Sequence, residues 1–320
     1  MRIERWQLAQ RQSLSLEAKV AMTLARIRAW HAHWHGQTYV AFSGGKDSTV
    51  LLDLVRSVYP STPAVFANTG LEYPEVISFV KSYENVVWLR PKLSFKAVIE
   101  KYGYPIVSKN VSMAISRYRN TKREDQRQYR LHGRVDPVTG KKLTAGVIPK
   151  RWQYLLKAPF KISEQCCDVM KKGPFYSYNK ETGRRPYIGT MASDSNGRTV
   201  DYLRKGCNFL GSGVKSSSRP MSFWFEDDVW AYIRTRGLKY AEIYDKGVDR
   251  TGCMFCMFGM HTPGGIDRFE NMKVTHPKLY TYCMEQLGLR EVLKWYPSNV
   301  TEGIHGMVNK EKEVDHGGQE

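Results

Sequence analysis

Two sets of residues in this sequence could do chemistry by their types and spacing. The first is Ser43-Gly44-Gly45-Lys46-Asp47-Ser48. Adjacent glycines let a backbone turn tightly and approach a charged ligand without Cβ clashes. A helix starting at once behind them would add free N–H groups and the positive end of its dipole. Ser43 and Ser48 contribute hydroxyls, and Lys46 contributes a full charge. The chemistry indicated is phosphate binding. It is not a Walker A loop, because Val40 stands where that motif needs its first glycine.

The second set is cysteine. Cys166-Cys167 is followed, 85 residues later, by Cys253-Met254-Phe255-Cys256, with small Gly252 easing the turn. Four thiolates in two groups can close around one metal centre. Such sites hold zinc or an iron–sulfur cluster, and thiolates alone do not separate the two. Zinc ribbons commonly use two Cys-x-x-Cys pairs, so the adjacent pair points away from them. Two cysteines remain. Cys207 lies in Arg204-Lys205-Gly206-Cys207-Asn208, where nearby positive charge would lower a thiol pKa, making it a candidate persulfide carrier or substrate contact. Cys283 falls on an apolar helical stripe and reads as core.

The elements that must hold these groups read as repeated strand–helix units. Ser15 to Trp34 is an amphipathic helix capped by Ser15. At its end His31 and His35 share a face, as a metal pair or simply as a polar terminus suited to the dipole. Strands are expected at Thr38–Phe42, Ala64–Ala67 and Val86–Leu89, with helices after each, the second beginning at Pro74 and the third spanning Ser94–Tyr102. Further strands are expected at Tyr187–Gly189 and Met221–Phe225, with a helix Glu226–Thr235 behind. This repetition predicts an α/β fold, a Rossmann-like doubly wound parallel sheet, with ligands beyond the carboxyl ends of its strands. The expected layout is a helical segment over 1–36, one α/β domain over 37–300, and a polar, disordered tail over 301–320.

Residues 117–157 interrupt the pattern. Twelve Lys or Arg stand there against Glu124, Asp125 and Asp136, half of the chain's net charge of +18. Tyr118, Tyr129, Trp152 and Tyr154 are interleaved. Cations spaced among rings suit a nucleic acid, and the candidate contacts are Arg117, Arg119, Lys122, Arg123, Arg127, Arg130, Lys141, Lys142 and Arg151. The alternative is a solvated surface insertion. Hydrophobic residues make up 42% of the 320, enough for a sizeable core, which excludes disorder over the whole chain. No run is long enough for a membrane helix and no secretory segment leads the chain. Six cysteines in 320 residues are too few for a disulfide scaffold, so a cytoplasmic protein is expected.

Ser-Gly-Gly-Lys-Asp-Ser after a strand resembles the PP-loop of the N-type ATP pyrophosphatases. Phe66-Ala67-Asn68-Thr69-Gly70-Leu71-Glu72-Tyr73-Pro74 resembles the adenine-side turn of the phosphoadenosine phosphosulfate (PAPS) reductase branch. Gly189 to Arg198, and Arg219-Pro220 through Trp224 to Asp228-Val229-Trp230, are looser matches to that branch. The cysteine spacing is similar to the [4Fe–4S] pattern of sulfonucleotide reductases and of DndC-type subunits of DNA phosphorothioation systems. Tyr102 to Lys109 also looks like the DndC type.

The resemblance implies ATP held by Ser43, Gly44, Gly45, Lys46, Asp47, Ser48, Asn68, Thr69 and Gly70, with Lys46, Asp47 and Ser48 serving catalysis. Mg²⁺ would neutralise phosphate charge that a single lysine cannot. Cys166, Cys167, Cys253 and Cys256 would hold a [4Fe–4S] cluster. The activity implied is adenylation with release of pyrophosphate, followed by sulfur insertion into nucleic acid, foremost the DNA backbone. Implied partners are DNA in preference to tRNA, a cysteine desulfurase as sulfur donor, and other subunits of a DNA-modification complex.

Two departures separate the chain from PAPS reductases. No cysteine follows Cys283, where cluster-bearing reductases carry a nucleophile near the end. The loop also keeps the full Ser-Gly-Gly-Lys-Asp-Ser of ATP-using enzymes. The alternatives kept open are a PAPS reductase-type sulfonucleotide enzyme, a tRNA thiolase, and a non-catalytic, nucleotide-regulated nucleic-acid-binding subunit.

Overall fold

The structure is a computed structural model, and it describes residues 3–211, 215–262 and 267–296. The chain divides into two compact units, residues 1–91 with 171–251 and residues 92–170 with 252–320, where one α/β domain was expected over 37–300. The expected tail over 301–320 lies outside the described residues.

The first unit opens with two helices, α1 (Arg5–Gln12), which the sequence reading lacks, and α2 (Leu16–His33), capped by the Ser15 hydroxyl as expected. The repeated units follow as β1 (Thr38–Ala41), α3 (Lys46–Arg56), β2 (Ala64–Ala67), α4 (Pro74–Lys81) and β3 (Val86–Leu89). After the second unit's first segment the chain returns with α5 (Gly173–Thr182), β4 (Arg185–Ile188), α6 (Asn196–Lys205), β5 (Asn208–Phe209), β6 (Ser217–Ser218) and α7 (Glu226–Arg236).

The strands form one sheet in the order β3-β2-β1-β4-β6-β5. All neighbours are parallel except β5 with β6. Helices cover both faces, as continuous runs such as Ala64-Val65-Phe66-Ala67 require. Tyr39 and Val65 pack against Tyr178 and Phe175 of α5. The Tyr39 hydroxyl donates to Asn179 Oδ1 (2.7 Å), which satisfies a buried polar atom. On the other face α3 packs on β1, β4, α2 and α7. Strand order reverses between β1 and β4, the place where open α/β sheets bind ligands.

The strand expected at Met221–Phe225 is instead a pair of turns, with Ser222 N–H donating to Arg219 O (3.1 Å) and Trp224 N–H to Met221 O (3.0 Å). Its apolar residues are buried all the same, because Trp224 Nε1 donates to Thr23 Oγ1 (2.9 Å) and seats the turn on α2. Buried coil and buried strand share one hydrophobic signature. Of the two readings of His31 and His35, the polar helix end fits His31 better than the metal pair. His31 stacks on Tyr59 with ring centroids 3.5 Å apart, and burial lowers its pKa.

The second unit is mostly helical. Its first segment carries helices Phe95–Tyr102, Lys109–Asn120 and Glu124–His132, then a hairpin of Arg134–Val135 with Lys142–Leu143 and a 3₁₀ stretch Lys150–Lys157. Met257–Phe258 pairs in parallel with Ile106–Val107. Cys283 is fully buried in a π-helical turn, as core.

Candidate functional sites: a phosphate loop and a cysteine centre

Ser43 to Ser48 leaves the carboxyl end of β1 and opens α3, so the loop sits at the strand-order switch. Gly44 adopts φ +69°, and a Cβ there would meet the Val76 and Val80 side chains of α4 at 2.8 and 2.7 Å. Both facts demand glycine. The loop closes on itself. Ser43 N–H donates to Ser48 Oγ (3.1 Å), Gly45 N–H donates to Ser43 Oγ (3.3 Å), and Ser48 Oγ donates to Gly45 O (2.8 Å). Across the switch, a Cβ on Gly189 would lie 3.0 Å from Asp47 O, so the segment after β4 runs directly against the loop.

Lys46 is only 4% exposed. Its ammonium meets Glu226 Oε1 at 3.0 Å and Asp47 Oδ1 at 3.5 Å, and its backbone N–H donates to the Tyr244 hydroxyl (2.8 Å). Burial pulls the Lys46 pKa down, but Asp47, Glu226 and Tyr244 together outweigh it and hold the ammonium charged. Asp47 goes the other way for a carboxylate, raised by burial despite Lys46. Its Oδ1 is buried without a hydrogen bond. The Lys46 ammonium at 3.5 Å compensates this oxygen as an ion pair without a hydrogen bond.

A cavity of about 300 Å³ lies beyond β4, lined by Thr190, Arg198, Asp201, Tyr202, Arg219 and Ser222 among others. A neighbouring one of about 240 Å³ is lined by Ser193, Asp194, Phe225, Glu226, Asp227 and Arg250. Burial lowers the Arg198 pKa, Arg250 and Arg219 lower it further, and Asp47 opposes them. Mutually repelling guanidiniums beside a phosphate loop favour an anionic ligand. Asp194 and Asp201 restrain Arg198 and Arg219 through ion pairs.

The turn after β2 is built by Glu72, which accepts from Thr69 N–H (2.9 Å) and from the Thr69 hydroxyl (2.7 Å), while Gly70 N–H donates to Asn68 Oδ1 (3.1 Å). Asn68, Thr69 and Gly70 thus lie at the carboxyl end of the strand next to β1. Sequence reasoning missed Glu226 and Tyr244 as partners of the loop, and Asp249, whose carbonyl accepts from Lys46 Nζ (3.5 Å). Single residues about 200 positions away carry no local pattern. Arg198 and Arg219 stood inside quoted segments, yet their convergence needs the fold.

Cys207 corrects its expectation. Burial pushes the thiol up to about 11, against the smaller opposing pull of Arg26 and Arg11. The neighbouring Arg204 and Lys205 do not rescue it, so this buried thiol is not poised as a persulfide carrier.

In the second unit, Cys166 and Cys167 begin a helical segment that runs into the π-helical Asp168–Lys172, with their sulfurs 4.0 Å apart. Cys253 and Cys256 bracket a turn in which Cys256 N–H donates to Cys253 O (3.0 Å), and Arg268 Nη1 donates to Cys256 O (2.6 Å). Cys167, then burial, then Cys256 and Cys253 drive the Cys166 pKa far above the ordinary thiol range. All four expected ligands therefore share one locality. Among the described residues none of them is in a disulfide, and no three His, Cys, Asp or Glu side chains close on a single metal ion. The donor set suits a thiolate-ligated metal centre, zinc or an iron–sulfur cluster, because crowded, part-buried thiols resist ionisation until a metal neutralises them.

The basic segment is uneven. Arg119 donates to the carbonyls of Phe160 (2.6 Å), Leu155 (2.7 Å) and Ala158 (2.8 Å), and Arg130 donates to Gly146 O (3.0 Å). These two brace the fold. Arg123 pairs with Asp125 and Arg127 with Glu124, while Arg117, Lys122, Lys141, Lys142 and Arg151 are exposed.

Residues 37–113 and 138–258 match the phosphoadenosine phosphosulfate reductase domain family, and the gap between them falls in the basic segment. An uncharacterised Methanocaldococcus jannaschii protein is 26% identical over 91% of this chain, which spans 60% of that relative's length. An adenosine 5'-phosphosulfate reductase of Geobacillus kaustophilus is 24% identical over 79% of this chain and 86% of its own. Among solved structures, the U34-tRNA thiolase NcsA of Methanococcus maripaludis with its [4Fe–4S] cluster matches at 15% identity and a TM-score of 0.38, over 88% of this chain and 81% of that one. No helix among the described residues is long and apolar enough to cross a membrane.

Proposed function

The chain belongs to the phosphoadenosine phosphosulfate reductase domain family, and from that premise we propose that it is an ATP-dependent sulfurtransferase. It releases pyrophosphate and inserts sulfur into nucleic acid, with the DNA backbone as acceptor and a cysteine desulfurase as donor. The observation that carries this reading is the desolvated Lys46 at the head of α3, inside a complete Ser-Gly-Gly-Lys-Asp-Ser loop. Loop amides, hydroxyls and one ammonium aimed at a single place suit a leaving pyrophosphate.

In this mechanism the β- and γ-phosphates displace Glu226 from Lys46 and Tyr244 from its amide. Lys46 and the first-turn amides then stabilise charge as the bond to the α-phosphorus breaks. Arg198, Arg219 and Arg250 orient the remaining phosphate. An acceptor oxygen attacks that phosphorus and is adenylated as pyrophosphate leaves; hydrosulfide, released from the desulfurase persulfide by two electrons from a thiol reductant, then attacks the activated acceptor, and the new bond to sulfur forms as AMP leaves. Asp47 and Glu226, both beside Lys46, would hold the Mg²⁺ that neutralises the phosphates. Cys166, Cys167, Cys253 and Cys256 would hold the cluster, which when bound supplies iron able to coordinate sulfide. No general base is required, since catalysis rests on position and charge.

The test is anaerobic pyrophosphate release from ATP with duplex DNA, single-stranded DNA or tRNA, and Lys46→Ala as blank. Lys46-dependent release that duplex DNA accelerates most is expected. The adenosine 5'-phosphosulfate reductase among the relatives favours a second reading, sulfonucleotide reduction. Sulfite formed from a sulfonucleotide, with no pyrophosphate from ATP, would decide for it. A colourless anaerobic preparation with stoichiometric zinc would remove the cluster from either mechanism.

A further inference from the structure

The basic segment carries at its middle a hairpin whose apex is exposed. Arg134 pairs with Leu143 and Val135 with Lys142 in an antiparallel ladder. At the tip Asp136 Oδ1 accepts from Val138 N–H (2.8 Å) and Thr139 N–H (3.0 Å), and Gly140 N–H donates to Asp136 O (2.9 Å). The tip is thus shaped by its own hydrogen bonds. Its base is tied to the helix Glu124–His132, where the Tyr129 hydroxyl donates to Ala145 O (2.7 Å) and Arg134 lies 5.7 Å over the Tyr129 ring. Val138 at the apex is 91% exposed and Val135 63% exposed. Lys141 and Lys142 flank them, also exposed. An exposed valine at a hydrogen-bonded turn, with cations on its shoulders, fits a partner that is anionic at its rim and apolar deeper in.

We propose that the hairpin 134–143 enters the major groove of B-form DNA. This rests on the nucleic-acid reading above and deepens it. Lys141 and Lys142 meet the flanking phosphates, and Val138 meets base edges, where a thymine methyl offers an apolar contact. A major groove about 12 Å wide and about 8.5 Å deep admits a two-stranded ribbon, whereas the A-form groove of RNA is too narrow. The ladder pairs two residues a side, and Asp136 N–H donating to Lys141 O (2.9 Å) adds a third, which at about 3.3 Å each gives roughly 10 Å of reach, comparable with the groove depth.

The experiment is equilibrium binding of the full-length protein to duplex DNA, duplex RNA of the same sequence, and polyglutamate, each across a salt series. Preference for duplex DNA by about tenfold or more is expected. Lys142→Gln should reduce the slope of log K against log salt by about 1. Val138→Ser should keep that slope, weaken binding several-fold, and weaken it most at A·T-rich sites. Both positions are exposed, and thermal melts check that each variant stays folded. Equal affinity for duplex RNA, or wild-type DNA affinity in a variant carrying both Val138→Ser and Lys142→Gln, overturns the hairpin assignment while the nucleic-acid reading stands. Binding to polyglutamate in preference to DNA overturns it in favour of an acidic protein partner. No binding to any nucleic acid overturns the underlying reading itself.

Discussion

The phosphate loop and the basic segment both work through cations, and they treat them in opposite ways. Lys46 is nearly inaccessible, and its charge survives burial only because Asp47 and Glu226 stand beside it. In the basic segment the helix Glu124–His132 buries no side chain at all. Desolvation makes one charge strong, because field strength rises as water is excluded. Solvation leaves many charges weak singly but additive, which suits affinity for a polyanion and not the stabilisation of a leaving group. The difference separates residues that should set a rate from residues that should set a salt dependence.

The sharpest way to break that contrast is Lys46→Ala. It should lower kcat for pyrophosphate release by about 10²–10³-fold while leaving the salt slope of DNA binding unchanged. A matching loss of DNA affinity would show that the two regions are not separate in function.

Arg119 tests the contrast within the basic segment. Arg119→Ala removes the donor to three carbonyls and should cost about 1–3 kcal/mol of stability in urea unfolding. A Lys122→Ala variant, changed at an exposed position, should melt like the wild type.

Cys207 supplies a pH test of burial in the first unit. Its thiol is raised to about 11 from 9.0, so the folded state keeps the proton that the unfolded chain releases. The contribution is fully present below about pH 9 and is lost as pH rises towards about 11. The fall in unfolding midpoint between pH 8 and pH 10.5 should therefore be smaller in Cys207→Ala than in the wild type, the remainder coming from other raised groups such as Cys166 and Tyr39.

The smallest expected effect is also the most specific. Lys122→Ala should reduce the salt slope by about 1 with no change in kcat at saturating DNA. An unchanged slope would place the DNA surface elsewhere on the chain.

Local pattern was enough for the parallel strands. Ala64–Ala67 and Val86–Leu89 form where continuous apolar runs end in turn residues, and Ser15 and Ser94 cap their helices as their positions suggest. It failed at Met221–Phe225, where the same apolar density is buried in turns against α2. Cys207 misled for a related reason: its sequence neighbours are cationic, but its surroundings in the fold are buried.

The turn and helix start at Ser43–Ser48 were legible in the sequence by itself, because glycine freedom and a helix start act over six consecutive residues. So was the grouping of the four cysteines as candidate ligands. Only the tertiary structure decided which partners hold Lys46, that Arg198, Arg219 and Arg250 act on one another, and that Arg119 braces carbonyls while Lys122 faces water. Those outcomes depend on desolvation and on charges brought together from far along the chain, and neither is a property of any local run of residues.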